Sequence, residues 1–187
     1  MSRVMLFGLM SWLILASAAP ARADDAEDKA VAFVEKLGGK VTRDQKQPGK
    51  PVVGVSLSFT KVKVTDADLK ELAAFKNLSV LALYMTGVTD RGMTELTTFK
   101  TLTRLTLGST KVTDTGMKEL SKLTSLIELD LSNNKVTDAG LKELSPLTNL
   151  ASLNLSHTEV TDAGLKDVAA LQRCFNPGGA PIPGCAP

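Results

Sequence analysis

The chain has 187 residues, with 22 Lys and Arg against 20 Asp and Glu and a formal net charge of +2 at pH 7. Two of the basic residues, Arg3 and Arg22, lie in an N-terminal segment that we expect to be removed, so the remaining chain is neutral. A neutral chain of mixed signs excludes the basic footprint that nucleic acid binding needs. It equally excludes a polybasic cluster for anionic lipid.

Residues 1–23 have the pattern of a secretory signal peptide. Arg3 precedes an apolar run over 4–15, and small residues then lead to an A-x-A site that ends at Ala23. This pattern predicts cleavage after Ala23, and therefore a secreted or periplasmic protein without membrane insertion after cleavage. The apolar run is shorter than the roughly 20 residues that span a bilayer. An uncleaved N-terminal anchor is the alternative.

The next segment, residues 24–53, is predicted to be an N-terminal cap made of a helix and a strand. Its first part, DAEDKAVAFVEKL at 25–37, has the apolar spacing of an amphipathic helix and is followed by two glycines. KVTR at 40–43 predicts a strand, and DQKQPGK predicts a loop. Since a repeat array exposes core at its ends unless it is capped, we expect this segment to cover the first repeat.

A ten-residue motif then recurs five times. KVTDAGLKEL at 135–144 has four close relatives, and the aspartates of the five copies are 24 residues apart: Asp66, Asp90, Asp114, Asp138 and Asp162. An exact period in this range predicts a solenoid of stacked units instead of a globular domain with one active centre. We place five repeats of 24 residues at 54–173 and an irregular Pro/Gly-rich tail at 174–187.

Each unit contains two apolar columns that alternate as a short strand does. Aligned on the 24-residue period, the first column is Leu57, Leu81, Leu105, Leu129 and Leu153, and the second is Phe59, Leu83, Leu107, Leu131 and Leu155. A turn column follows, whose polar side chains are expected to bond to backbone groups: Val62, Thr86, Thr110, Asn134 and Thr158. Val62 cannot make such a bond, so the first coil departs from the pattern.

The Thr-Asp pair of each unit predicts the start of a helix. The threonines are good N-caps, and a carboxylate in the first turn is favoured by the helix dipole: Thr65, Thr89, Thr113, Thr137 and Thr161. Glycines recur two residues after the Asp at 92, 116, 140 and 164, with Asp68 in the first unit. Because Gly is about 1 kcal/mol less favourable than Ala in a helix, its recurrence predicts close approach of neighbouring coils. A calcium ladder is the alternative reading of the aspartates, but calcium takes six to eight oxygens and each Asp has only Thr beside it.

These residues carry a family resemblance. NLSVLALYMTGV, SLIELDLSNNKV and their counterparts resemble leucine-rich repeats, in the VTDxGLxxL form of exported bacterial proteins, planctomycete proteins among them. The resemblance covers about 54–171. It implies an α/β fold, a right-handed solenoid with a parallel β-sheet on the concave face and short helices on the convex face. For function it implies a noncatalytic binding module, here a monomer with a protein partner; a self-associating structural component of the cell envelope is the alternative.

The concave face is the predicted binding surface, because the repeat pattern leaves its residues free to vary. In the first coil its positions are predicted to be Ser56, Ser58, Thr60 and Lys61. Tyr and Arg are frequent interface anchors, and the candidate binding residues are Tyr84, Met85, Arg104, Glu128, Asp130, Asn154 and His157. The alternative is that these residues are merely tolerant of solvent on a short sheet. Five strands give roughly 400 Å², about half of what each partner contributes to a standard interface.

No catalytic, cofactor or metal site is predicted. His157 stands beside Ser156 and Glu159, but adjacency in sequence does not give the geometry of a triad, so we expect an exposed loop histidine and no enzyme. Cys174 and Cys185 are the chain's two cysteines. A disulfide between them is permitted in an exported protein, and two unpaired thiols are the alternative.

Overall fold

The computed structural model describes residues 25–167, in which short strands alternate with short helices. The predicted signal peptide, the tail and the Cys174–Cys185 pair lie outside the described residues. In chain order the elements are α1 Asp25–Lys36, β1 Lys40–Arg43, β2 Val52–Ser56, a 3₁₀ helix Asp66–Ala74, β3 Val80–Ala82, α2 Asp90–Leu96, β4 Arg104–Thr106, α3 Asp114–Leu120, β5 Glu128–Asp130, α4 Asp138–Glu143, β6 Ser152–Asn154 and α5 Asp162–Asp167. Each strand from β2 to β6, with the helix that follows it, is numbered here as coils 1 to 5.

The strands form one sheet in which chain order and spatial order agree. Strands β2 to β6 pair in parallel, and β1 pairs with β2 in the antiparallel direction. The helices of successive coils contact one another on the other side of the core. This arrangement confirms the predicted α/β solenoid, with a parallel sheet on one face and short helices on the other.

One hydrophobic core runs through all the coils. Leu83 and Leu107, which directly follow β3 and β4, are fully buried, and Met93 and Met117 of α2 and α3 belong to the same buried cluster. Since each coil contributes only one layer of side chains, the core is closed by stacking and not within any single unit.

The predicted N-terminal helix and strand are both present. Helix α1 buries Ala30 and Val34 against the core. The carboxylate of Glu27, whose residue is only 8% exposed, accepts hydrogen bonds from Arg43 Nη1 at 2.8 Å and from the Val52 backbone N–H at 3.2 Å. Because a buried charge requires such partners, this one side chain fixes α1 against both β1 and β2.

The sheet register corrects the predicted alignment of the first coil. Val55, and not Leu57, pairs with Leu81, so the strands of coils 1 and 2 are 26 residues apart where later strands are 24 apart. Leu57 therefore corresponds to Leu83, and Phe59 is no core residue: it is 71% exposed. The reason is a turn at 58–63 that is two residues longer than its counterpart at 84–87.

The turn column makes the predicted backbone bonds in the later coils. The Thr86 hydroxyl donates to the Leu83 carbonyl at 2.7 Å. The Asn134 side-chain amide donates to the carbonyls of Leu131 at 3.0 Å and Leu107 at 2.8 Å. Val62, which has no hydrogen-bonding side chain, is 48% exposed and lies outside this column.

Within residues 25–167, no helix has the length and apolar character needed to cross a membrane.

Candidate binding surface

The concave face presents side chains in rows that cross the sheet, because residues in register on neighbouring parallel strands point to the same side. From coil 1 to coil 5 the rows are Gly54, Val80, Arg104, Glu128 and Ser152, then Ser56, Ala82, Thr106, Asp130 and Asn154. Strand β1 extends both rows, since Thr42 pairs with Gly54 and Lys40 with Ser56. The surface is thus six strands wide and not five.

An aromatic pair lies just beyond the strands of coils 1 and 2. The ring centroids of Phe59 and Tyr84 are 5.1 Å apart, with 41° between the ring planes. On its other side the Tyr84 ring covers Gly108, where an added Cβ atom would lie 2.7 Å from Cδ2 and 2.8 Å from Cε2. Gly108 therefore leaves the space into which Tyr84 fits.

Next to this pair the backbone adopts a left-handed conformation once per coil. The residues concerned are Phe59, Met85, Ser109, Asn133 and His157, with φ between 54° and 58°. Asn tolerates this conformation, whereas a large apolar residue is strained in it. Phe59 and Met85 are nevertheless largely exposed, Met85 by 60%. Two apolar side chains thus occupy positions that offer them neither burial nor a relaxed backbone.

The centre of the face carries one ion pair. Arg104 and Glu128 are register partners on β4 and β5, and Arg104 Nε lies 2.9 Å from Glu128 Oε1. Both side chains are about half exposed or more, so the pair adds less than about 1 kcal/mol to stability. The predicted neighbour Asp130 makes a local bond instead: its Oδ1 accepts the backbone N–H of Ser132, two residues further on, at 2.9 Å.

The candidates in coil 5 lie at the far end of the sheet. Asn154 Oδ1 accepts the Ser156 N–H at 3.1 Å, the same local turn that Asp130 makes. His157 is exposed beside it. Among residues 25–167, no group of three or more His, Cys, Asp and Glu side chains has the arrangement of a metal site.

The recurring Thr-Asp motif lies away from this face and joins coils to each other. Asp90 Oδ1 accepts the Thr113 N–H at 2.7 Å, and its Oδ2 accepts the Thr113 hydroxyl at 2.7 Å. The same two bonds join Asp66 to Thr89, Asp114 to Thr137 and Asp138 to Thr161. Thr89, Thr113, Thr137 and Thr161 also cap their own helices, as predicted; Thr137 Oγ1, for example, accepts the Ala139 N–H at 3.2 Å. Thr65 makes no such bond, and its hydroxyl donates to Asp68 instead. Each aspartate thus uses both oxygens on protein donors of the next coil.

The recurring glycines make room for these aspartates. A Cβ atom on Gly116 would lie 2.6 Å from Asp90 Oδ1, which accepts the Gly116 N–H at 3.1 Å. The predicted close approach between coils is confirmed, with the aspartate as the group that approaches. In coil 1, Asp68 replaces the glycine and accepts both the N–H and the hydroxyl of Thr65, at 2.7 and 2.8 Å. Asp68 therefore supplies from within the coil what a preceding coil would have supplied.

This hydrogen bonding affects the titration of Asp138, the aspartate of the last Asp–Thr pair. The hydroxyl and the N–H of Thr161 donate to Asp138, and they lower the pKa of its carboxyl group below the ordinary value of 3.8. The charged form of the carboxylate is the one that accepts both bonds.

Comparison with known proteins agrees with this geometry. Residues 100–160 match the family model described as leucine rich repeat. These residues form leucine-rich repeats. No curated protein matches the chain.

Solved structures with some likeness to these leucine-rich repeats include two internalins from Listeria monocytogenes. The internalin inlF has 23% identity and a TM-score of 0.43, over 59% of this chain and 36% of its own. Internalin C2 (inlC2) has 22% identity and a TM-score of 0.46, over 85% of this chain and 78% of its own. The PEPR1–AtPEP1 complex has 16% identity and a TM-score of 0.42, over 64% of this chain and 20% of its own. The chain spans little more than a third of the length of inlF.

The seven candidate residues thus fall into three groups on one face. Tyr84 and Met85 lie at the N-terminal end, Arg104 and Glu128 form the central pair, and the others follow towards coil 5. Sequence reasoning missed Phe59, because the 24-residue alignment placed it in the core. Its left-handed backbone and its contact with Tyr84 appear only once the register is known.

Proposed function

We propose that this protein is a noncatalytic binding module that holds a protein partner on its concave face. The observation that carries the proposal is the apolar cluster of exposed Phe59 and Met85 with half-buried Tyr84, on a sheet whose other outward side chains are mostly small or polar. Contiguous apolar side chains on a soluble protein mark interaction sites more often than single exposed ones do. Aromatic residues and Met are also enriched at protein interfaces.

The remaining candidates extend this surface. Arg104 with Glu128, then Asp130, and finally Asn154 and His157 follow the sheet from its centre to coil 5. A partner that lies across the strands would meet the apolar cluster first and the charged and polar groups after it. The apolar cluster would supply most of the affinity, and the exposed polar groups would supply selectivity.

The size of the face limits the affinity. Six strands at about 4.8 Å, each counted over about five residues so that the first residues of the following turn are included, give roughly 500 Å². A standard interface uses about 800 Å² per partner, so the partner is small, or it also contacts the adjoining turns.

The site of action is proposed from residues 1–23 alone. Their signal-peptide pattern supports export, with cleavage after Ala23, to the periplasm or the medium. The 24-residue spacing of Asp66 to Asp162 separately supports the bacterial repeat type, and we propose that the protein acts as a monomer.

Affinity capture with the purified protein tests the proposal. Wild type is compared with a concave variant, Tyr84→Ala with Arg104→Ala and Asp130→Ala, and with a convex control, Lys118→Ala with Glu143→Ala. We expect a protein from the envelope or secreted fraction that wild type and the convex control retain and the concave variant loses. Equal capture by all three would refute the concave site. No specific partner, together with self-association in sedimentation, would favour the structural role in the cell envelope.

A further inference from the structure

The apolar cluster of coils 1 and 2 carries two separate stability penalties. Phe59 and Met85 keep large apolar side chains in solvent, and they do so in a left-handed backbone conformation with φ of 56° and 57°. At the equivalent position coil 4 has Asn133, which suits that conformation. Phe59 contacts the Tyr84 ring but is still 71% exposed, and Met85 is 60% exposed, so burial does not account for either side chain. The fold uses this conformation in every coil, but it does not require a large apolar residue in it, and a residue type that is strained at its position is a recognised mark of a functional site.

The border of this cluster is positively charged. Lys40 lies beside Ser56 on the edge strand β1, and Lys61 and Lys63 lie in the long turn that also contains Phe59. Lys63 reaches towards coil 2, because a Cβ atom on Gly87 would lie 2.7 Å from its Cε. All three lysines are exposed.

The carboxylates nearest to Lys61 and Lys63 in sequence are bonded to other groups: Asp66 to Thr89 and Asp68 to Thr65. The stretches 40–43, 54–64 and 78–88, which form the strands and turns around the cluster, contain no Asp or Glu. Among the residues that form the concave rows, the nearest acidic groups begin with Glu128, which is already paired with Arg104. The chain outside its first 23 residues is neutral, so this local excess of positive charge belongs to the cluster and not to the surface as a whole.

We infer that the partner segment seated here is an acidic peptide segment with at least one large apolar side chain. The apolar side chain packs on Phe59, Tyr84 and Met85, and flanking carboxylates face Lys40, Lys61 and Lys63. The inference rests on the proposed function, because it names the chemistry of what the concave face holds. Opposite charges at the border of such a site speed association and exclude basic competitors, while the apolar contact holds the complex together.

Peptide selection tests the inference without knowledge of the natural partner. A phage library of random 12-residue peptides is selected on the purified protein, and the selected peptides are then synthesised and measured by isothermal titration. We expect peptides enriched in Asp and Glu around a Trp, Phe, Leu or Ile. Their affinity is expected to fall as salt rises from 50 to 500 mM, since screening weakens exposed charge pairs.

Variants assign the binding to the cluster. Phe59→Asn with Met85→Asn removes the apolar contact and suits the left-handed backbone, so its thermal midpoint should equal or exceed that of wild type while affinity falls at least about tenfold. Lys61→Glu with Lys63→Glu should also lose the acidic peptides. Ser109→Asn, at the equivalent position of coil 3, is the matched control and should bind as wild type does.

The outcomes separate this inference from the proposed function. If the selected peptides are neutral or basic and Phe59→Asn with Met85→Asn still loses them, the acidic class is overturned and the concave face remains the binding site. A selection that yields no binding peptide would overturn the acidic-peptide inference alone, because the capture experiment tests the concave face independently. Peptides that bind every variant equally would overturn both.

Discussion

Replacing Asp114 by Ala should lower the free energy of unfolding, because it removes hydrogen bonds that join coil 3 to coil 4. Asp114 accepts two hydrogen bonds from Thr137, from its N–H at 2.8 Å and from its hydroxyl at 2.7 Å. Hydrogen bonds to a charged group contribute about 1.5–3 kcal/mol each. Asp114 is only partly buried, so the lower figure applies to both bonds and the expected loss is about 3 kcal/mol. That is a large fraction of the 5–15 kcal/mol by which domains are typically stable.

Urea unfolding followed by circular dichroism measures this loss. Asp114→Asn keeps an oxygen for the Thr137 N–H and gives up the charge, so about half of the loss is expected. Lys118→Ala, an exposed change on the same helix, is the control and should stay within about 0.5 kcal/mol of wild type. If Asp114→Ala also stays within that range, the contact between the coils contributes nothing measurable and the reasoning fails. If Asn is as damaging as Ala, the charge and not the hydrogen-bond geometry is responsible.

Three further changes test other features. Gly140→Ala should destabilise by about 2 kcal/mol despite the better helix propensity of Ala, because its Cβ would lie 2.9 Å from the backbone Cα of Asp114; urea unfolding measures it. The bonds from Thr161 lower the folded-state pKa of Asp138, so this carboxylate should stabilise the fold above about pH 4 and lose that contribution as the pH falls through the folded-state pKa. Acid titration of wild type and of Asp138→Asn measures the difference. Met85→Asn should raise the free energy of unfolding by about 0.5–1 kcal/mol, seen as a higher thermal midpoint.

Each of these expectations has an outcome that would contradict it. A Gly140→Ala protein as stable as wild type would mean that the coils can move apart without cost. An acid transition that Asp138→Asn leaves unchanged would show that this carboxylate takes no part in it. A destabilised Met85→Asn would mean that the Met side chain makes packing contacts that its exposure does not indicate; Ser109→Asn is the control for the backbone effect.

The repeat period was sufficient to predict the fold, because stacked coils require the same residue types at the same interval. The Asp spacing, the helix over 25–37 and the strand at Lys40–Arg43 all predicted elements that are present. The alignment of coil 1 was wrong for a definite reason. Side chains along a strand alternate with a period of two, so a shift by one residue would have turned polar groups inwards, whereas a shift by two leaves the alternation intact. Leu57 and Phe59 therefore fit the strand pattern as well as Val55 and Leu57 do.

The candidate surface was predictable only in part for a related reason. The repeat pattern identifies which positions face outwards, and this was enough to select Tyr84 and Met85. The contact of Tyr84 with Phe59 depends on the length of one turn, which the pattern does not fix. The bonds between coils were missed because a Thr that caps its helix and a Thr that donates to the preceding Asp have the same place in the sequence.

The replacement of glycine by Asp68 determines where in the array a unit can be added or removed. A unit with both the Thr-Asp pair and the glycine can hold the aspartate of the preceding coil and can bond its own aspartate to the next coil. A duplicated coil 3 would therefore fit between its neighbours without further changes. Coil 1 lacks the space for an incoming aspartate, because Asp68 already holds Thr65. Gain and loss of units during evolution should therefore fall among the interior coils, while the first coil persists as a fixed starting piece.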